Sequence, residues 1–566
     1  MCGIFFALSR HGHVEIDTNT KQLLQDRGPD STGQLQITLD TKRDNEQDEK
    51  ALPSQLHMTF VSTVLALRGG TVVRQPLQDN ATGSVFCWNG EAWSVQGRSV
   101  TGNDSEIIFD LLLKACAEPA DPTALTTAVM DVLSSIKGPY AFTFYDPVNK
   151  RIYYGRDCLG RRSLLKQSTT RDMIVFSSVC DSAASNAWEE VEADGIYVFE
   201  LQSESTTRTP HRVSRKGDDG KTSFHLPFPP LNTTVPSQPA RPDATTVQRL
   251  AESLQCSLEL RIQHVREAVQ STPREEEAKV AILFSGGLDC TILAKLSHHL
   301  LPARQSIDLL NVAFENPRVH KNLDASTSPY ELCPDRITGR SSYAELQKTC
   351  PDRHWRFVAI NVPYIETVAH RHNVMTLMYP HNTEMDLSIA NALYFASRGA
   401  GLYGATSHSM PVSYTTSAHV LLSGLGADEL FGGYQRHAVA FARRGYEGLI
   451  EELELDFSRL GKRNLGRDDR VISSSGKEVR FPYLDEDFIA LALQLPVTAK
   501  CDFANPEVEG SDDPALLLEP GKRVLRMLAW ELGMKGVAAE KKRAIQFGAR
   551  TAKMETGRTK GTQVLS

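Results

Sequence analysis

A cysteine directly after the initiating methionine places a nucleophile one cleavage from the end of the chain, in the stretch MCGIFFALS. With Met1 removed, Cys2 would carry both a thiol, whose reference pKa is about 8.5, and a free α-amine near 7.7–8.0. The amine can then take the thiol proton directly or through a water, so one residue supplies nucleophile and base. A second stretch, VAILFSGGLDCTIL, sets a glycine turn after an apolar run and before a helical pattern. Glycines there let backbone approach an anion, and hydroxyl, thiol and helix N–H groups supply donors. Taken singly, Cys2 fits a small buried residue of an N-terminal strand equally well, and the glycine turn fits an ordinary strand-to-helix connection.

Two different scaffolds must hold these stretches. From Cys2 to about Leu201, short runs rich in Val, Ile, Phe and Tyr read as strands: GIFFAL, LHMTFVSTVLAL, SVFCWNG, KGPYAFTFYD, RIYYG and MIVFSS. SEIIFDLLLKACAEP and ALTTAVMDVLSSI read as helices among them. Residues 40–55 are a polar surface loop, and residues 202–243, rich in Pro, Ser and Thr, are an inter-domain linker. Beyond it a long amphipathic helix precedes the strand KVAILF, the loop SGGLDC, the helix TILAKLSHHL and the strands IDLLNVAF and HVLLSG. Strands alternating with helices predict a parallel sheet with covered faces and ligands at the C-terminal strand ends. The expected organisation is 2–201 for a mixed α and β domain, 202–243 for the linker, and 244–566 for an α/β domain.

Bulk properties narrow the function. The 566 residues exceed what one core supports, and 41% hydrophobic and 23% charged residues are ordinary globular values. A formal charge of -7 shows no nucleic-acid footprint, and no apolar run reaches the length of a membrane span. Ten scattered cysteines, without a CxxC pair or metal-ligand spacing, suit a reduced compartment, so a cytoplasmic location is expected.

The order MCGI, RGPDSTG (27–33), QPL (75–77), WNGEAW (88–93), NDSE (103–106), KGPYAFTFYD (137–146) and GRDCLGRRSL (155–164) resembles the class II glutamine amidotransferase domain. That family is an N-terminal-nucleophile hydrolase of stacked α, β, β and α layers. The resemblance implies that Cys2 attacks the glutamine side-chain amide and releases ammonia through a glutamyl thioester. Asn89 and Gly90 match the oxyanion-hole pair, and Asp104 matches the carboxylate that holds the glutamine α-amine, with Glu91 in the same binding motif. Val64 stands where the family has the arginine that clamps the glutamine carboxylate. Arg68 and Arg74 are the candidate replacements.

SGGLDC resembles the pyrophosphate-binding loop of ATP pyrophosphatase domains. VLLSGLGADELFGGY (420–434), RFPYLDEDF (480–488) and GKRVLR (521–526) narrow the resemblance to asparagine synthetase. It implies that ATP is bound by Phe284, Ser285, Gly286, Gly287, Asp289, Cys290, Ala313, Ser423, Gly424 and Asp428. Mg²⁺ would be held by Asp289 and Asp428, and Lys522 would neutralise charge as pyrophosphate leaves. The implied substrates are glutamine, ATP and aspartate, with asparagine, glutamate, AMP and pyrophosphate as products; a homodimer is left open. Leu425 replaces a glutamate of the family, and Cys290 replaces the last serine of the loop. With CPDRITGRSSYAEL (333–346) and MDLSIANALYFASRGAG (385–401), this looks like the divergent branch called asparagine synthetase domain-containing protein. Asp335 with Arg336 and Arg340, or Glu384 with Asp386, could supply substitute charge. Two other readings stay open: a glutaminase whose second domain senses nucleotide, and a non-catalytic scaffold.

Overall fold

The computed structural model describes residues 2–41, 54–117, 121–170, 173–181, 187–201, 211–214, 226–238, 242–266, 277–324, 326–404, 410–505, 518–554 and 560–565. Met1 and most of the 40–55 loop lie outside them. The chain forms two compact units. The first is Met1–Pro227 with Met375–His381 and Leu460–Gly476; the second is Phe228–Val374, Asn382–Arg459 and Lys477–Ser566. Two short segments that a continuous division assigns to 244–566 thus belong to the first unit.

The first unit has two six-stranded sheets with antiparallel pairing throughout. One runs Trp188–Glu190, Leu165–Thr170, Met173–Ser177, Gly3–Ser9, Ser54–Val64, Ser31–Thr41. The other runs His211–Ser214, Gly195–Glu200, Arg151–Arg156, Tyr140–Asp146, Val85–Gly90, Leu77–Gln78. The two-residue period of a strand sorts their side chains. Ile4, Phe6 and Leu8 of the first sheet meet Val85, Cys87, Ala141 and Tyr145 of the second in one core. The alternate residues Phe86, Trp88, Phe142 and Phe144 face the other way, onto Ile108, Leu112, Leu125 and Val129 of the helices Asp104–Ala117 and Pro122–Ser134. The helix Thr18–Arg27 covers the first sheet, Leu24 lying where any side chain on Gly3 would have to go. The α, β, β, α layering is therefore present. His211–Ser214, read from sequence as linker, is instead an edge strand, because Val213 is buried there and its backbone completes the ladder beside Gly195–Glu200.

The helix Leu465–Ser473 is fixed in this unit by buried charge. Arg470 Nη1 lies 2.6 Å from Glu190 Oε1, and Arg156 Nη1 lies 3.1 Å from Glu190 Oε2. Burial pushes the Glu190 carboxyl up, but Arg470 and Arg156 outweigh it and hold the group at about 2, against an ordinary 4.5. A folded-state value below the unfolded one makes this contribution fully present above pH 4.5 and lost as pH falls toward about 2. Glu190→Gln should cost about 3–5 kcal/mol, the range for removing one partner of a buried pair. Denaturant unfolding at pH 7 checks it, and the gap between wild type and variant should close as the pH falls below 4.5.

The second unit is built on a seven-stranded sheet in the order Val412–Thr415, Ala400–Tyr403, Trp355–Val362, Ile307–Phe314, Val280–Leu283, Val420–Leu422, Glu478–Arg480. From Trp355–Val362 to Glu478–Arg480 the pairing is parallel. The expected all-parallel sheet is corrected at the other edge, where Ala400–Tyr403 and Val412–Thr415 pair antiparallel. The cause is local. Gly399, at φ 64°, ends the helix Glu384–Arg398 and turns the chain straight into a strand that folds back on its neighbour.

Candidate functional sites

Cys2 directly precedes the strand Gly3–Ser9 and is buried. Its N–H donates to Asn89 Oδ1 at 3.0 Å, so the Val85–Gly90 strand of the opposite sheet brings the oxyanion-hole candidate to the nucleophile. The other end of that amide is unspent: among the described residues, Asn89 Nδ2 is buried with no hydrogen-bond partner. An orphaned buried donor costs about 1–3 kcal/mol unless something binds it. Gly90 is required by packing, since a Cβ there would sit 2.7 Å from the Trp88 ring.

Asp104 opens its helix and is buried. Its Oδ2 accepts from the Trp88 indole at 2.9 Å and from Ala92 N–H at 2.8 Å. Burial pushes its carboxyl up, opposed by the Ala92 N–H and by Arg68. Arg68 is committed within the protein: Nε to Glu91 Oε1 at 2.8 Å, Nη1 to the Ala92 carbonyl at 2.8 Å, and Nη2 to the Val100 carbonyl at 3.4 Å. The fork that was to clamp glutamine thus holds the 91–100 loop, because those carbonyls point at it and Glu91 offers the nearest carboxylate. Arg74 is exposed, and Val64 is buried behind Gly28.

Arg27, which opens the RGPDSTG motif, is a site residue that motif reading left without a role. Fully buried, it donates through Nε to the Cys2 carbonyl at 3.4 Å and through Nη2 to Asp469 Oδ2 at 2.8 Å. Its partner lies 442 positions away, and no local pattern joins them.

In the second unit the Val280–Leu283 strand delivers SGGLDC to the start of the helix Leu288–Leu300. Gly286 has φ 81°, and a Cβ there would be 2.4 Å from Gly339 N and Cα, so the loop is seated on the helix Pro334–Thr349. Ser342 Oγ donates to the Gly286 carbonyl at 2.6 Å. Cys290 Sγ donates to the Gly287 carbonyl at 3.3 Å, which shows the thiol serving the loop where the family has a hydroxyl. Phe284 N–H donates to the Leu310 carbonyl, and its own carbonyl accepts from Asn311 Nδ2, each at 2.9 Å. Ala313 is fully buried in its strand opposite Asn361. The SGLGADE loop abuts the first: Ser423 N–H donates to the Arg480 carbonyl, and a Cβ on Gly424 would meet the Asp289 Cβ at 2.9 Å.

Lys522 joins the two loops. Its Nζ lies 2.6 Å from Asp289 Oδ2 and 2.6 Å from Asp428 Oδ1, while Lys542, absent from the sequence reading, pairs with Asp428 Oδ2. Burial pushes Asp428 up, yet the two lysines hold its carboxyl well below the usual carboxylate range. Among the described residues, Asp289 Oδ1 is buried without a hydrogen-bond partner. Among the described residues no group of three His, Cys, Asp or Glu side chains could hold a metal. Two hard carboxylates with one unspent oxygen suit Mg²⁺, which keeps only one or two protein carboxylates and takes the rest of its shell from phosphate and water.

The other charges separate. Arg336 and Arg340 both pair with Glu331. Asp386 N–H bonds Thr383 in a helix cap, and Glu384 faces Arg371 at 3.8 Å. Leu425 is half-buried, its N–H donating to Ser423 Oγ.

Comparison with known proteins bears on this geometry. The asparagine synthase family model matches residues 361–451 and 442–560. Asparagine synthetase domain-containing protein 1 of Bos taurus is 33% identical, the match covering 99% of this chain and 97% of that one. The Gallus gallus protein of the same name is 32% identical over 100% and 99%. The chain belongs to this family. The chain is more distant from asparagine synthetase itself: asparagine synthetase (glutamine-hydrolyzing) 1 of Saccharomyces cerevisiae is 22% identical, over 88% of this chain and 77% of that one. Among the described residues, no helix is long and apolar enough to cross a membrane.

Proposed function

We propose that the chain is a glutamine-dependent, ATP-consuming amidotransferase of asparagine synthetase type, with aspartate as acceptor. The observation that carries this reading is the Asn89 amide, one end on the Cys2 N–H and the other a buried donor without a partner among the described residues. Cys2, freed of Met1, attacks the glutamine amide carbon. The Asn89 Nδ2 donor takes the oxyanion, ammonia leaves, and water cleaves the thioester. In the second unit the SGGLDC loop cradles phosphate, and Asp289 and Asp428 would hold Mg²⁺, which neutralises the charge of departing pyrophosphate when bound. Lys522 supplies a fixed cation between them. The carboxylate becomes an acyl-adenylate, and ammonia converts it to the amide.

Removing an oxyanion-hole donor costs about 10²–10³ in kcat. Asn89→Ala should show that loss in glutamine hydrolysis with KM changed far less, read from steady-state glutamate release. The whole reading is tested by incubating the chain, with its N-terminus verified by mass spectrometry, with glutamine, Mg–ATP and aspartate. Asparagine and pyrophosphate should appear in equal amounts. Pyrophosphate released only with another carboxylate would reassign the acceptor, and glutamate without pyrophosphate would leave a glutaminase alone.

A further inference from the structure

Asp335 is 6% exposed on the first turn of the Pro334–Thr349 helix, and its carboxylate makes no hydrogen bond or ion pair among the described residues. Its charged neighbours on that helix are turned elsewhere, Arg336 to Asn311 and Glu331 and Arg340 to Glu331. One turn on, Thr338 and Gly339 are the residues against which Gly286 of the phosphate loop is seated. Asp335 therefore lies one turn from that loop. The segment 540–543 runs over the same turns, with Arg543 Nη1 donating to Thr338 Oγ1 at 3.5 Å and Thr338 Oγ1 to Glu540 Oε1 at 3.4 Å. Its Lys542 pairs with Asp428, three positions from Leu425. Gly548 completes the wall; a Cβ there would collide with both carboxylate oxygens.

A buried carboxylate with no hydrogen bond or ion pair among the described residues is costly, even with the charges of Arg543 and Lys542 facing it. We propose that Asp335 is the proton acceptor of the amide-forming step, standing in for the carboxylate that Leu425 lacks. The inference rests on the synthetase reading above. As ammonia forms the N–C bond to the acyl carbon, one of its protons passes to Asp335, the C–O bond to phosphorus-bound oxygen breaks, and AMP departs with the electron pair; Asp335 then releases the proton to water. The groups facing it are Arg543, Lys542 and Glu540. Burial raises its carboxyl to about 7, with Arg543 and Lys542 opposing and Glu540 adding, which suits a base working at neutral pH.

Ammonium chloride in place of glutamine bypasses the first unit. With aspartate and Mg–ATP, D335N should lose about 10²–10⁴-fold in asparagine formation, the usual worth of a general base. Aspartate-dependent exchange of pyrophosphate into ATP should stay within about threefold of wild type, because adenylation does not use the base. At constant free ammonia, the acid limb near pH 7 expected of wild-type amide synthesis should be absent in D335N, and D335E should restore part of the rate. Equal loss of exchange and synthesis in D335N, or full synthesis with the limb intact, overturns the proposal while the synthetase reading stands. A wild type with no aspartate-dependent exchange overturns both.

Discussion

Cys2→Ala should abolish glutamine hydrolysis and leave ammonia-dependent synthesis intact. The expectation follows from the position of the residue. The Cys2 thiol is the proposed nucleophile, and the α-amine that would activate it belongs to the same residue, so one substitution removes the thiol that the amine serves. Loss of a nucleophile that acts as a unit with its base leaves only the contribution of binding and the oxyanion hole, so kcat should fall by about 10³ or more. Alanine keeps a small residue in a buried place before the Gly3–Ser9 strand, and the backbone N–H still donates to Asn89 Oδ1, so folding should be unaffected. The measurement is glutamate release, paired with asparagine formation from ammonium chloride. Retained hydrolysis in the alanine variant would remove Cys2 from the mechanism. Retention of Met1 in an active protein would do the same to the α-amine, leaving the thiol to find another base.

Much of this was legible because it is local. The alternation in GIFFALS and SVFCWNG already sorts side chains to two faces, and the glycines of SGGLDC mark a turn that only glycine can make against Gly339. The strand Ser31–Thr41 was missed: STGQLQITLDT is too polar to look like one, and it forms because all eleven positions pair with Ser54–Val64. What sequence hid was long-range. Arg68 fits a carboxylate clamp by charge and place, yet the carbonyls of Ala92 and Val100 claim its fork first. The division at 244–566 puts Leu465–Ser473 in the second domain, but Asp469 accepts from Ser163 N–H, 306 positions earlier. Only folding reveals such a partner, since neither residue carries a mark of the other.

Lys522→Ala should abolish pyrophosphate formation while glutamine hydrolysis in the first unit continues within about threefold of wild type. Lys522 is buried and its Nζ spans Asp289 and Asp428 at 2.6 Å each. Without it two carboxylates face the phosphates with one cation, Lys542, left on the far oxygen of Asp428. Anion binding and charge neutralisation at pyrophosphate departure both suffer, and loss of such a preorganised cation should reach about 10³-fold in rate. The carboxyl of Asp428, now held down by one lysine, should rise toward its ordinary value, so residual pyrophosphate formation should fall off at a higher pH than in wild type. The backbone supplies an independent check. Lys522 has φ 55°, a left-handed conformation that costs a non-glycine residue about 1–2 kcal/mol. Lys522→Gly should therefore be as inactive as the alanine variant yet more stable by about 1 kcal/mol. If glycine were no more stable than alanine, the strain would not reside in this residue; if either variant kept wild-type pyrophosphate release, the bridging ammonium would have no part in the chemistry. Lysine held in a conformation suited to glycine, with its charge divided between two loops, points to selection on the ammonium rather than on the turn.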